Sequence, residues 1–90
     1  MNIIQTRSFI RVVKKLHKNQ KADLDDAIKA IIDDPYIGQE KKGDLSDIRV
    51  YKFKMVKQLT LLAYNYKEQT ITLTLLALGS HENFYRDLKN

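Results

Sequence analysis

The sequence contains no cysteine and no tryptophan, and its 90 residues include only three glycines and one proline. The lack of cysteine excludes disulfides and thiolate metal sites. No apolar run approaches the length needed to cross a bilayer, and the charged stretch MNIIQTRSFIRVVKKL does not resemble a secretory signal. A hydrophobic content of 43% with so little glycine and proline is typical of a folded domain. We therefore expect a single cytoplasmic domain over residues 1–90.

The net charge of +5 is distributed unevenly along the chain. Residues 1–20 carry +5, residues 21–47 carry −4, and residues 48–90 carry +4. An acidic middle between two basic ends predicts an electropositive face suited to a polyanion such as a nucleic acid. An ordinary solvated surface gives the same count, so the composition alone leaves both interpretations open.

Hydrophobic periodicity in the first half predicts an edge strand, NIIQT, followed by two helices. We expect Ser8 to cap the first helix, whose apolar stripe consists of Phe9, Val12, Val13 and Leu16. HKNQ is predicted to be a polar turn in which Asn19 caps the second helix, and Pro35 ends that helix. The second apolar stripe consists of Leu24, Ala27, Ile28 and Ile31. We expect the two helices to form an antiparallel hairpin.

After the polar loop YIGQEKKGDLSD the period changes to two, and IRVYKFKM, QLTLLAYNY and TITLTLLAL predict three antiparallel strands. In the first strand, Lys52 and Lys54 share a face with Val50, opposite Arg49, Tyr51, Phe53 and Met55. In the last strand we expect one side to carry Ile71, Leu73, Leu75 and Ala77. The predicted fold is α+β, in the order β-α-α-β-β-β with a short C-terminal helical turn. A two-helix hairpin packs on one face of a small antiparallel sheet, and the other face is available for a ligand.

Three stretches in the second half, GDLSDIRVYKFK, LTLLAY and LLALGSHENFYRDLK, resemble the RelE/ParE superfamily of bacterial type II toxins, in its ParE-like and YafQ-like branches. The resemblance implies a RelE-like fold and a cognate antitoxin as partner. RelE-type members cut mRNA in the ribosome without a metal, whereas ParE-type members poison DNA gyrase. We expect the first activity, a ribosome-dependent mRNA endoribonuclease without a cofactor. The alternatives are a ParE-type gyrase inhibitor and an inactive RNA-binding relative.

The resemblance also implies roles for individual residues. RNA cleavage of this kind needs a general base for the 2′-hydroxyl, cations for the phosphorane, and an acid for the departing 5′-oxygen. The catalytic candidates that match the RelE or YafQ-like pattern are Lys52, Lys54, Arg49, His81 and Tyr85. Where RelE carries a phosphate-binding strand arginine, this chain has Leu61. The compensating contact would come from Lys57, Arg49 or Arg86, and further contacts with ribosomal RNA phosphates from Arg11, Lys14, Lys15 and Lys18.

Each candidate also has a purely structural interpretation. Lys52 and Lys54 can be the solvated side of an amphipathic strand, and the basic stripe on the first helix can be a solvated helix face. His81 can simply begin a terminal turn capped by Ser80, and Tyr85 can pack against the sheet edge. His17 has no second histidine or cysteine at ligand spacing, so no metal site is predicted.

We expect the segment after Gly79 to fold back over the open sheet face and to bring His81 and Tyr85 to the two lysines.

Overall fold

The computed structural model describes residues 1–41 and 47–80, which form a mixed sheet of five strands with two helices. The helices are α1 (Arg7–Lys14) and α2 (Lys18–Asp33); the strands are β1 (Asn2–Gln5), β2 (Gln39–Glu40), β3 (Arg49–Met55), β4 (Gln58–Lys67) and β5 (Thr72–Ser80). The order across the sheet is β1-β5-β4-β3-β2. The predicted α+β class is confirmed, and the predicted order of elements is correct except for β2, which was not predicted. Neither helix in the described part of the chain is long and apolar enough to span a membrane.

The first helix begins earlier than predicted. The N-cap of α1 is Thr6, whose hydroxyl oxygen accepts a hydrogen bond of 3.2 Å from the backbone N–H of Phe9. The same hydroxyl donates to the carbonyl oxygen of Leu76 at 2.8 Å, which joins the cap to β5. The prediction of Ser8 as the cap was wrong, because the chain turns directly from β1 into the helix and Ser8 is already helical.

The second helix also begins earlier than predicted, at Lys18. The backbone N–H of His17, the N-cap, donates to the side-chain oxygen of Gln20 at 2.7 Å, which satisfies one group at the helix start. The predicted HKNQ turn and Asn19 cap were therefore wrong, because Asn19 lies inside the helix. The end of the helix is as predicted, since α2 stops at Asp33 before Pro35.

The sheet differs from the predicted antiparallel sheet at both of its edges. β1 pairs with β5 in parallel, whereas β3, β4 and β5 form the predicted antiparallel meander. β2 lies in the segment predicted to be a loop and pairs with the start of β3, Gln39 opposite Val50. A strand of two residues is too short to produce a periodic pattern, so hydrophobic periodicity could not predict it.

The last strand contains a bulge that changes the direction of its side chains. Ala63 pairs with Ala77, but the next residue, Tyr64, pairs with Leu75, so Leu76 is the extra residue. The predicted face was correct for Leu73 and Leu75 and wrong for Ala77. Beyond the bulge Leu78 enters the helix-side core, while Leu76 and Ala77 pack on the opposite face.

The main core lies between the helices and the sheet. It joins residues of both helices to residues of β3, β4 and β5: Phe9, Leu24, Ile31, Met55, Leu62, Tyr64, Leu73, Leu75 and Leu78. The predicted apolar stripes of both helices face this core. Tyr64 closes it at one end, where its hydroxyl donates to the carbonyl oxygen of Pro35 at 2.7 Å and accepts from the N–H of Gly38 at 2.9 Å. Burial raises the pKa of this phenol.

Glycine is required at position 38 because the tyrosine ring approaches the backbone closely. A Cβ atom at Gly38 would lie 2.7 Å from the hydroxyl oxygen of Tyr64. The segment that follows α2 is thereby held against β4, and this contact sets the position from which β2 starts. The terminal helical turn predicted after β5 lies outside the described residues.

Candidate functional site

The sheet face opposite the helices, here called the open face, carries a second apolar cluster. Side chains alternate along a strand, so each residue that neighbours a helix-facing core residue in the sequence of the strand points to the open face. Val50, Leu61 and Ala63 are buried in this cluster, and Ile48, Leu76 and Ala77 pack against it. The apolar part of the open face lies towards the start of β3.

Lys52 and Lys54 follow Val50 on the same face and are both exposed. Their Cα atoms are about 7 Å apart along β3, as expected for residues at i and i+2. Within residues 1–41 and 47–80, neither side chain forms a hydrogen bond or an ion pair. Two unpaired ammonium groups beside an apolar cluster are suited to an anion that also offers an apolar surface, as an unpaired nucleotide does.

The end of the last strand lies in the same cross-strand row as the first of these lysines. Lys52 pairs with Leu61 on β4, and Leu61 pairs with Gly79 on β5. Two interstrand spacings separate Lys52 from Gly79, or about 10 Å. The chain therefore leaves β5, after Ser80, close to the lysine pair. His81, Tyr85 and Arg86 lie outside the described residues.

Leu61, for which the resemblance implies an arginine in RelE-type toxins, is completely buried. It packs with Val50 and Ala63 in the open-face cluster. A buried, uncharged side chain in that position cannot bind a phosphate. Leu61 therefore does not supply the phosphate contact that the resemblance implies for this position.

Arg49 lies on the other face of the sheet from Lys52 and Lys54. One of its guanidinium nitrogens donates to the carbonyl oxygens of Tyr36, at 3.3 Å, and of Gly38, at 2.9 Å. The other is 3.8 Å from a carboxylate oxygen of Glu40, and the guanidinium carbon lies 5.0 Å from the centre of the Tyr36 ring. Arg49 thus binds the segment between α2 and β2, and the structure does not bring it together with the lysines.

These contacts predict that Arg49 has a structural role. Arg49→Lys keeps the charge but loses the planar guanidinium, which contacts the carbonyl oxygens with one nitrogen and Glu40 with another, and we expect it to lower the free energy of unfolding by about 1–2 kcal/mol. Toxicity of the folded variant should remain. Glu40→Gln, which removes only the long ion pair, is the control and should change stability by less than about 1 kcal/mol. Thermal melts and growth arrest are measured together. Lost toxicity at unchanged stability would instead place Arg49 in the active site.

The other proposed RNA contacts fall into two groups. Lys57 lies in the turn between β3 and β4, close to Lys54, and is exposed. The remaining four side chains are exposed on the helix layer, three on or directly after α1 and the last at the start of α2: Arg11, Lys14, Lys15 and Lys18. This group belongs to the helix layer, whereas Lys52 and Lys54 lie on the open face of the sheet.

A cleft that the sequence did not predict lies beside Arg49. Tyr36 and Tyr66 meet edge to face there, with ring centres 5.7 Å apart. Asn65 donates its amide N–H to the carbonyl oxygen of Asp47 at 2.6 Å. Partial desolvation and the neighbouring carboxylate of Glu68 raise the pKa of Tyr36. Because Arg49 already occupies the face of Tyr36, we interpret this cleft as part of the anchoring of the segment after α2.

Comparison with known proteins gives both a family and a fold. Residues 3–89 match the sequence model of the family described as "ParE-like toxin of type II bacterial toxin-antitoxin system". The RelE toxin of Escherichia coli in its intact RelBE toxin-antitoxin complex is 17% identical, with a TM-score of 0.71 over 90% of this chain and 96% of that one. The isolated RelE toxin is 16% identical, with a TM-score of 0.69 over 98% and 95% of the two chains.

A conserved hypothetical protein of Helicobacter pylori is 24% identical, with a TM-score of 0.54 over 90% of this chain and 94% of that one. No curated protein matches the sequence. At these levels of identity the structural likeness shows a shared fold, and the predicted RelE-like fold is confirmed.

Proposed function

This chain belongs to the family of ParE-like toxins of type II bacterial toxin-antitoxin systems, and we propose that it acts as an mRNA endoribonuclease. In this proposal the toxin acts in the cytoplasm, cuts mRNA on the ribosome without a metal, and thereby stops translation. A cognate antitoxin neutralises it. RelE, whose fold it shares, is itself found in complex with the antitoxin RelB.

The observation that supports this activity best is the lysine pair on the open face. Lys52 and Lys54 are exposed, lie side by side, and have no acidic partner within the described residues. Cleavage by the 2′-hydroxyl concentrates negative charge on a phosphorane, and fixed cations at that point stabilise the transition state. Lys52 also shares a cross-strand row with Gly79 near the end of β5, after which His81 follows in the sequence.

The proposed reaction needs one proton to be removed and one to be donated. The imidazole of His81 takes the proton of the 2′-hydroxyl, whose oxygen attacks the adjacent phosphorus. The bond from phosphorus to the 5′-oxygen breaks, and the imidazolium protonates the leaving oxygen. The products are a 2′,3′-cyclic phosphate and a 5′-hydroxyl. Tyr85 is proposed to stack on a base, and Lys57 and Arg86 to hold the flanking phosphates.

The basic stripe on α1 has a different proposed role. Its side chains lie on the helix side of the sheet, and we propose that they contact ribosomal RNA rather than the mRNA strand on the open face. Phosphate contacts of this kind position a protein without reading sequence.

A second candidate function is inhibition of DNA gyrase. Two observations favour it: the family that matches is described as ParE-like, and Leu61 is buried where RelE has an arginine. The buried leucine is equally compatible with an inactive RNA-binding relative. Inducing the chain in cells separates these functions. An endoribonuclease stops amino-acid incorporation before thymidine incorporation, a gyrase inhibitor gives the reverse order, and an inactive relative changes neither.

The antitoxin is predicted to cover the open face. A toxin with a net charge of +5 favours an acidic partner, and the neighbouring cluster favours apolar side chains. We expect Lys52 and Lys54 to be protected from acetylation in the complex, while Lys29, exposed on α2, continues to react. Mass spectrometry of the acetylated complex measures this. If Lys29 is protected from acetylation while Lys52 still reacts, the antitoxin binds α2 instead of the open face.

A further inference from the structure

The hairpin that joins β3 and β4 has a tip whose residues do not suit its conformation. Met55 pairs with Gln58, so only Val56 and Lys57 form the loop. Their φ angles are 50° and 71°, both in the left-handed region. Two-residue hairpins favour this geometry because it matches the twist of the strands, and it normally calls for asparagine and glycine. Valine is among the least suitable residues, because its branched Cβ is crowded there.

A distant carboxylate holds this unfavourable turn in place. The backbone N–H of Val56 donates to a side-chain oxygen of Asp23 on α2 at 2.8 Å. The bond connects residues 33 positions apart in the chain and fixes the tip against the helix layer. A strained residue that persists because its surroundings hold it in place is a common feature of functional sites.

The surface that the tip presents is both apolar and basic. The side chain of Val56 is 43% exposed, and so is that of Leu59, which pairs with Lys54 on the open face. Lys54 and Lys57 are exposed beside them. The tip therefore offers two exposed apolar side chains and two cations, and it continues directly into the Lys52 and Lys54 pair.

We propose that this hairpin tip, residues 54–59, is an RNA-contacting element. Val56 and Leu59 pack against the faces of unpaired bases, as apolar wedges do between base steps in other nucleic-acid complexes. Lys54 and Lys57 bind the adjacent phosphates. Asp23 is a positioning residue, since it holds the turn that points Val56 outwards. This inference rests on the proposed function, because that function names RNA as the ligand. It adds the hairpin tip to the surface that contacts RNA.

The strained turn provides a test in which stability and binding change in opposite directions. Val56→Asn relieves the strain and removes the apolar side chain, while Lys57 and the backbone bond to Asp23 remain. We expect a higher melting temperature together with RNA binding weakened about fivefold or more. Lys57→Gly should also melt at a higher temperature, and the slope of log affinity against log salt concentration should fall by about 1.

Ile71 provides a matched control. It is also a β-branched residue with a left-handed φ, 49°, its side chain is 54% exposed, and it lies in the turn between β4 and β5. The residues of that turn include Glu68, whereas residues 54–59 of the hairpin tip include two lysines and no acidic residue. Ile71→Asn should therefore raise the melting temperature as Val56→Asn does, and leave RNA binding unchanged.

Binding is measured with full-length protein and labelled single-stranded 2′-O-methyl RNA, which has no 2′-hydroxyl and cannot be cleaved. A second arm uses purified ribosomes without mRNA. The two arms together distinguish binding to messenger-like RNA from binding to ribosomal RNA. Weaker binding of Val56→Asn but not of Ile71→Asn in either arm supports the proposal. If Val56→Asn binds with wild-type affinity in both arms, the proposal is wrong, and the hairpin tip would instead contact a protein partner. Failure of the wild-type protein to cleave mRNA, with this binding difference intact, would remove only the endoribonuclease activity.

Discussion

Replacing His81 with glutamine should reduce mRNA cleavage by about 10²- to 10⁴-fold, the usual contribution of general acid–base catalysis. Glutamine keeps much of the size and the polarity of histidine but cannot exchange a proton near neutral pH. Cleavage is measured by primer extension on translated mRNA after induction. Binding of the antitoxin should survive, because the substitution removes a proton carrier rather than a surface.

The second histidine of the chain provides the control for this substitution. His17 is exposed at the start of α2, on the helix layer and away from the open face. His17→Gln should therefore cut mRNA as the wild-type protein does. Cuts of wild-type intensity in a folded His81→Gln variant would show that His81 only begins the terminal segment and takes no part in the reaction.

Removing both open-face lysines should abolish growth arrest while leaving the protein folded. Lys52→Ala with Lys54→Ala eliminates the two cations that we propose to stabilise the phosphorane. Both side chains are exposed and have no partner in the described part of the chain, so the free energy of unfolding should change by only about 0.5 kcal/mol. Growth curves after induction and a thermal melt of the purified variant measure the two effects.

A charge-matched double variant separates local from general electrostatics. Lys29→Ala with Lys67→Ala also removes two exposed positive charges, one from α2 and one from the far end of β4. It should retain growth arrest. If the folded Lys52 and Lys54 variant remains toxic, the lysine pair is not part of the site; if both double variants lose toxicity, net charge rather than position is what matters.

Local periodicity was sufficient to predict the elements that carry the site. The alternation in IRVYKFKM placed Lys52 and Lys54 on one exposed face, and the structure agrees because alternation is a property of each strand by itself. The two helical stripes were correct for the same reason. The resemblance to RelE/ParE toxins led to the family and the fold, both of which are confirmed.

Features that depend on pairing between distant strands were not predictable in this way. The bulge at Leu76 is defined by how β5 pairs with β4 at Ala63 and Tyr64, and no residue pattern within TITLTLLAL predicts it. The turn at Val56 contains neither asparagine nor glycine, so its tight two-residue loop gave no local signal. Arg49 was proposed as catalytic from its position in the resemblance, whereas its contacts with Tyr36 and Gly38 depend on where the segment after α2 lies.

The most direct test of the proposed activity adds the purified toxin to a reconstituted translation reaction and, separately, to a gyrase supercoiling reaction. We predict that new mRNA ends carrying a 5′-hydroxyl form only when ribosomes are present, and that DNA supercoiling proceeds normally. Intact mRNA in the translation reaction, together with blocked supercoiling, would contradict the endoribonuclease and identify the chain as a gyrase inhibitor.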